Sequence, residues 1–187
     1  MAASGLTGAR HILEGPQGFL AGLCPDGEPS HILESPDGPW LMHATSFKPW
    51  PACRHCHPAI DAALALRAAL AGREIAAAEV VTYADAVVFC DKPSPATEAQ
   101  AKFSLQHAVA VALSDGPPPL SAFLPEATAR PGLVRLRARI AVRADARFTA
   151  RYPAHFGAAV TLRLADGAVL SAEMPDALGD PENPLSA

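Results

Sequence analysis

A chain of 187 residues, half of them hydrophobic, suffices for one ordinary domain with a core of its own. Only 6% of the residues are aromatic, so that core is built mainly from small side chains. The net charge of −4 argues against nucleic acid or an anionic membrane as a partner, since either calls for a basic excess. No apolar run reaches the length of a membrane span, and the first ten residues lack the charged and apolar regions of a signal peptide. A cytoplasmic chain is the expectation, in which four cysteines read as thiols rather than as a disulfide framework.

Residues 1–37 are punctuated by Gly15, Gly18, Gly22 and Gly27, with Gly38 just beyond. Within them 10–13 predicts a helical turn and 31–34 a short strand. A second strand is predicted over 39–47, through Trp40, Leu41 and Met42. Pro49 and Pro51 then force an extended turn. The alanine-rich run 58–71 predicts a helix. Pro58 suits its first turn, Gly72 stops it, and Ile60, Leu64 and Leu70 supply its apolar stripe.

A strand follows at 76–82, then a break and a short extended piece at 87–89. Thr97 is placed to cap a helix over 98–113, ended by Gly116 and the prolines at 117–119. A short helix covers 120–124. Over 134–145, Val134, Leu136, Ala138, Ile140 and Val142 alternate with Arg135, Arg137, Arg139 and Arg143, the pattern of a half-buried strand with a basic outer face. Residues 158–164 and 168–174 flank Ala165-Asp166-Gly167, a hairpin signal. The tail is loop-like, and neither repeats nor a long linker are present. The sum is an α+β fold: a small, mainly antiparallel sheet with two main helices packed on it.

The chemistry concentrates in residues 48–63, K-P-W-P-A-C-R-H-C-H-P-A-I-D-A-A. Cys53, Cys56 and His57 fit C-x-x-C-H, the pattern of covalent haem attachment. That reading needs export and a second axial ligand, and neither is visible. Cys53 and Cys56 also have zinc-knuckle spacing, with His55 or His57 to join them. No second ligand pair follows, since Cys24 and Cys90 stand alone, though His43 or His107 remain open as mixed ligands. The third reading is an anion site. Lys48 and Arg54 flank a loop that feeds a helix N-terminus near His57, where free N–H groups and the dipole favour a carboxylate. A guanidinium clasps a carboxylate bidentately and a lysine adds a point charge. Residue by residue, the plainer reading is solvated cations, a capping histidine and cysteines filling the core.

K-P-W-P-A-C-R-H-C-H-P-A-I-D-A-A resembles the K-P-Y-P-C-C-R-x-T-H-x-A-I-D-A segment of the MmgE/PrpD family, which includes 2-methylcitrate dehydratase, cis-aconitate decarboxylase and iminodisuccinate epimerase. G-L-T-G-A-R-H-I-L-E-G-P-Q-G-F, A-K-F-S-L-Q-H-A and G-D-P-E-N-P-L-S are similar to three further family motifs in the same order. The resemblance implies cofactor-independent chemistry on small di- and tricarboxylates, in a cleft between a helical domain and an α+β lid. It covers the lid only, so residues 1–187 are expected to be that domain, with the helical domain absent and supplied in cis or in trans.

Carried over by position, Lys48 matches the lid lysine at the cleft, and Cys53, Arg54 and His57 match the cysteine, arginine and histidine of the loop. The resemblance implies that Lys48, Arg54 and Cys53 bind substrate and that Lys48, His57 and His107 take part in proton transfer. His107 stands where the family often has a tyrosine, and Cys56 where it often has threonine. The implied reaction is proton abstraction beside a carboxylate with loss of water, the chain being inactive alone. The alternative is a truncated or split-gene module that binds a helical partner. An exposed apolar patch and a homodimer are further expectations.

Overall fold

The computed structural model describes residues 2–28, 30 and 40–186. The strand predicted at 31–34, Gly38 and Pro39 lie outside the described residues. The chain divides into two units, Met1–His43 and Ala44–Ala187.

The described residues of the first unit are mostly turns and short helical pieces. Residues 10–14 form the expected turn, and Phe19 and Leu20 donate to the carbonyls of Ile12 and Leu13 to lead into helix α1, Phe19–Leu23. Leu6, Ile12, Leu13, Phe19 and Leu23 are all exposed, so the described residues of this unit form little core. Across the unit boundary, Leu41–Ala44 is a 3-10 turn rather than the predicted strand.

The second unit is α+β. In chain order it holds α2 (His57–Leu70), β1 (Ile75–Thr82), α3 (Ala84–Cys90), α4 (Glu98–Lys102) and α5 (Leu105–Ser114). Then come α6 (Pro125–Thr128), α7 (Pro131–Arg137), β2 (Ile140–Ala144), α8 (Ala146–Thr149), β3 (Ala158–Leu164) and β4 (Val169–Met174). The strands form one sheet in the order β2-β1-β3-β4. β1 pairs antiparallel with β3, and β3 with β4, while β2 lies parallel to β1. The parallel pair is possible because the helices between β1 and β2 carry the chain back to the starting end.

α2 ends as its sequence predicts. Pro58 occupies the first turn, Ala71 closes the helix in the left-handed region, and Gly72 follows at φ +76°. α2 packs on α5 and across β3 and β4. Ile60, Leu66 and Leu70 from α2 meet Leu105, Val109 and Leu113 from α5 and Val80 and Leu162 from the sheet in one buried cluster. Each such side chain contributes about 1.5–3 kcal/mol by leaving water. The β3–β4 hairpin turns through Gly167 at φ +87°, and Leu120–Phe123 forms the short helical turn foreseen there. No described helix is long and apolar enough to cross a membrane.

Three local expectations are corrected. The extended piece at 87–89 is part of α3, because Ala86 and Cys90, four residues apart, are both fully buried. Packing of that helical face outweighs the few tenths of a kcal/mol that β-branched valines cost a helix. The helix predicted over 98–113 is two helices. Thr97 caps α4, but Ser104 accepts from the His107 N–H and starts α5 afresh. Residues 134–145 are not one strand. Pro131 opens α7, which buries Leu133 and Arg137 one helical turn apart, and the strand begins only at Ile140. The basic outer face dissolves with it. Arg137 turns inward, while Arg139 and Arg143 pair with Glu74 and Glu79.

Candidate functional site

The loop between Ala44 and α2 is tied down at four places. The Phe47 N–H donates to the Gly179 carbonyl (2.8 Å), and the Cys53 N–H to the carbonyl of Lys102 at the end of α4 (2.8 Å). The Trp50 indole donates to Asp61 Oδ1 at 2.7 Å, while the other oxygen of Asp61 accepts the Leu178 N–H at 2.9 Å. The Arg54 guanidinium is held by Asp180 at 2.6 Å and lies 3.9 Å above the Phe156 ring. Its Nε is buried without a partner among the described residues. Asp61 and Asp180 are both buried, so the two carboxylates fasten loop, helix and tail together from inside. Burial raises the pKa of Asp61 against the lowering effect of the Leu178 and Trp50 bonds.

An open groove of about 480 Å³ runs along this loop, lined among others by Lys48, Trp50, Cys53, Lys102 and Phe103. Lys48 is exposed, and the Lys102 ammonium is bridged to Glu98 at 2.7 Å. Two amines above an apolar floor suit an organic acid: they meet its charge while the floor meets its carbon chain. The N-terminus of α2 does not add free donors. Arg54–Cys56 form a 3-10 turn in which the Cys56 N–H bonds Cys53 and the His57 N–H bonds Arg54, and His57 to Ala63 are buried.

The remaining candidates are placed apart from the groove. His57 is 1% exposed, and its Nε2–H donates to the Ala52 carbonyl at 3.3 Å. Burial pushes its pKa down to about 4, so the ring is neutral at pH 7. His107 is fully buried in α5. Its Nε2–H donates to the Ala122 carbonyl (2.8 Å), and its Nδ1 accepts from Arg137 (3.0 Å), which also donates to the Thr128 carbonyl (2.8 Å). Burial, with a smaller part from Arg137, lowers its pKa too. Lys48, Cys53 and Arg54 therefore share one loop surface, His57 lies beneath it, and His107 belongs to a separate interior network.

Cys90 is not solitary once the chain folds. It packs in the same core cluster as Cys53 and Cys56, and its thiol, with burial, pushes the pKa of Cys53 up. These groups do not fit a haem: Cys56 has no exposed surface, and the His57 nitrogen that would face iron is spent on a carbonyl. Among the described residues, no group of three or more histidines, cysteines, aspartates or glutamates is placed to hold a metal ion. The His43 side chain lies outside the described residues.

Sequence reasoning passed over His55 except as a zinc candidate. Its ring sits in an aromatic nest made by Tyr83, Phe89, Tyr152 and Phe156, with Nδ1 2.6 Å from the Tyr83 hydroxyl. No local pattern in the sequence marks it, because Tyr83, Phe89, Tyr152 and Phe156 come together only when the chain folds. The family model described as MmgE/PrpD C-terminal domain matches residues 50–187, from the middle of the loop through the tail that Asp61 and Asp180 anchor. No curated protein matches the chain.

Proposed function

Since this chain belongs to the MmgE/PrpD family, we propose that its second unit is a lid that supplies one wall of a cleft for a small di- or tricarboxylate. The reaction in this reading is cofactor-independent removal of a proton beside a carboxylate with loss of water, as in dehydration of 2-methylcitrate. The observation that carries it is the groove along the pinned loop, where exposed Lys48 and bridged Lys102 stand over Trp50 and Phe103. Lys48 takes a substrate carboxylate and is the loop's candidate for proton transfer. Arg54, held by Asp180 and Phe156 on the same loop, adds a further positive charge beside the groove, and Cys53 lines it. His57 and His107, neutral and bonded to backbone carbonyls, act by holding the loop and α5 in place.

A C-terminal domain of this family has an N-terminal domain as its counterpart. A helical domain, in cis or in trans, closes the cleft in this reading and contributes the remaining catalytic groups. Phe47, Val88, Phe89 and Phe103, all at least 43% exposed, offer apolar surface for it to cover. The same surface favours the second reading, a module that binds a helical chain without catalysing. Two measurements separate the readings. Calorimetric titration with 2-methylcitrate tests the groove, and its heat should disappear in Lys48→Ala combined with Arg54→Ala. Dehydration of 2-methylcitrate is then followed after mixing with a helical MmgE/PrpD domain. Binding of the domain without turnover selects the module, and unchanged ligand binding in the double variant refutes the groove.

A further inference from the structure

His55 lies between two rings. Phe89 stacks on it at an interplanar angle of 4° with centroids 5.5 Å apart, and Phe156 at 24° and 5.7 Å. Tyr152 touches it at a tilt and stacks on Tyr83 at 4.6 Å. The imidazole therefore has one plane and little freedom to swing. Phe156 also carries the Arg54 guanidinium, so a single phenylalanine positions two neighbouring loop side chains.

The hydrogen bonding fixes the tautomer. Tyr83 is fully buried at the end of β1, and His55 Nδ1 is the one partner of its hydroxyl among the described residues. A buried phenol that fails to donate loses about 1–3 kcal/mol, so its proton lies toward Nδ1. The neutral ring must then carry its own hydrogen on Nε2. That atom has no partner among the described residues and is not among the fully buried unpartnered atoms, so it keeps some exposure. Burial lowers the pKa of His55 and raises that of Tyr83, which keeps both neutral at pH 7. Asp85 of α3 pulls the imidazole pKa upward, against Arg54 and Lys48 of the loop, and the other phenol in contact is Tyr152. Because the Tyr83 proton is held, the pair does not relay protons. It presents a fixed N–H.

We propose that His55, set by Tyr83 and the Phe89–Phe156 stack, is a substrate-binding residue that donates a hydrogen bond from Nε2 to a carboxylate or hydroxyl oxygen of the organic acid bound at the Lys48–Arg54 loop. This rests on the carboxylate reading of the groove and adds to it a neutral, directional donor beside two cations. The Lys48 ammonium recognises charge at any angle, whereas a rigid N–H selects an oxygen at one position.

The test uses the full chain with 15N,13C-labelled histidine and citrate as the probe. Without ligand at pH 7.5, the His55 nitrogen shifts should show hydrogen on Nε2 and an acceptor Nδ1, and Tyr83→Phe should move the Nδ1 signal by removing the hydrogen bond it accepts. Citrate should move the His55 signals. His55→Phe keeps the stack and removes the N–H, and should weaken citrate binding about tenfold, the worth of one hydrogen bond to a charged acceptor. His55→Gln, which restores an N–H, should recover part of the loss. A free-state spectrum with hydrogen on Nδ1 overturns the assignment whatever citrate does. Citrate that binds in a Lys48-dependent manner, leaves His55 unmoved and binds His55→Phe as well as wild type overturns the donor alone. Citrate that does not bind overturns the groove and the donor together.

Discussion

His57 should make this fold acid-sensitive in a way one substitution can isolate. Burial holds the folded ring at a pKa of about 4, against ~6.5 for an exposed imidazole in the unfolded chain. Between those values the unfolded chain binds a proton that the folded chain refuses, so stability rises with pH across the window. The contribution is complete above the unfolded pKa and is lost as pH falls toward the folded one. At ~1.4 kcal/mol per unit the whole window is worth about 3 kcal/mol, of which about 2 kcal/mol is gone by pH 5. His57→Gln retains an N–H for the Ala52 carbonyl and has no proton to gain. Urea unfolding of both proteins at pH 7.5 and pH 5.0 gives two stability losses, and the wild type should lose about 2 kcal/mol more than the variant. His55 and His107, shifted downward by burial, and Asp61, shifted upward by burial, stay the same in both proteins and cancel. Equal losses would refute a neutral, buried His57.

Gly179 has φ +93°, and a Cβ there would collide with the Phe47 carbonyl oxygen, which belongs to the backbone and cannot swing aside. Gly179→Ala should therefore cost about 2–4 kcal/mol in thermal unfolding. At Gly72, by contrast, φ is +76° with open space around the site, and Gly72→Ala should cost only about 1 kcal/mol; equal costs would argue against the Phe47–Gly179 contact. In native protein treated with N-ethylmaleimide, mass spectrometry should find exposed Cys24 modified first and half-buried Cys53 slowly, with Cys56 and Cys90 protected until urea is added. Early labelling of Cys90 would contradict the packed thiol cluster.

Elements with local punctuation were legible in the chain. α2 carries a proline in its first turn and a glycine past its end, and the β3–β4 hairpin carries Asp166-Gly167. Misreading came where tertiary packing overrode the local pattern. The alternation around residue 137 has a strand's period, yet His107 and the Thr128 carbonyl receive Arg137 on the inner face of a helix. Residues 87–89 look extended until Ala86 and Cys90 are seen to be buried on one side.

The site divides in the same manner. Lys48, Cys53 and Arg54 sit within one short segment, so their adjacency is covalent and the sequence alone determined it. Together with the ordered motifs, that segment also carried the family membership. The tertiary structure decided which of the clustered groups face solvent and which are neutral. His57 and His107 lose their charge, and Cys90 joins Cys53, through burial by side chains far away in the chain. His55 gains a fixed tautomer from Tyr83, and a fixed plane from Phe89 and Phe156. Desolvation and hydrogen-bond geometry depend on neighbours in space, and a linear chain specifies those only after its distant segments have packed.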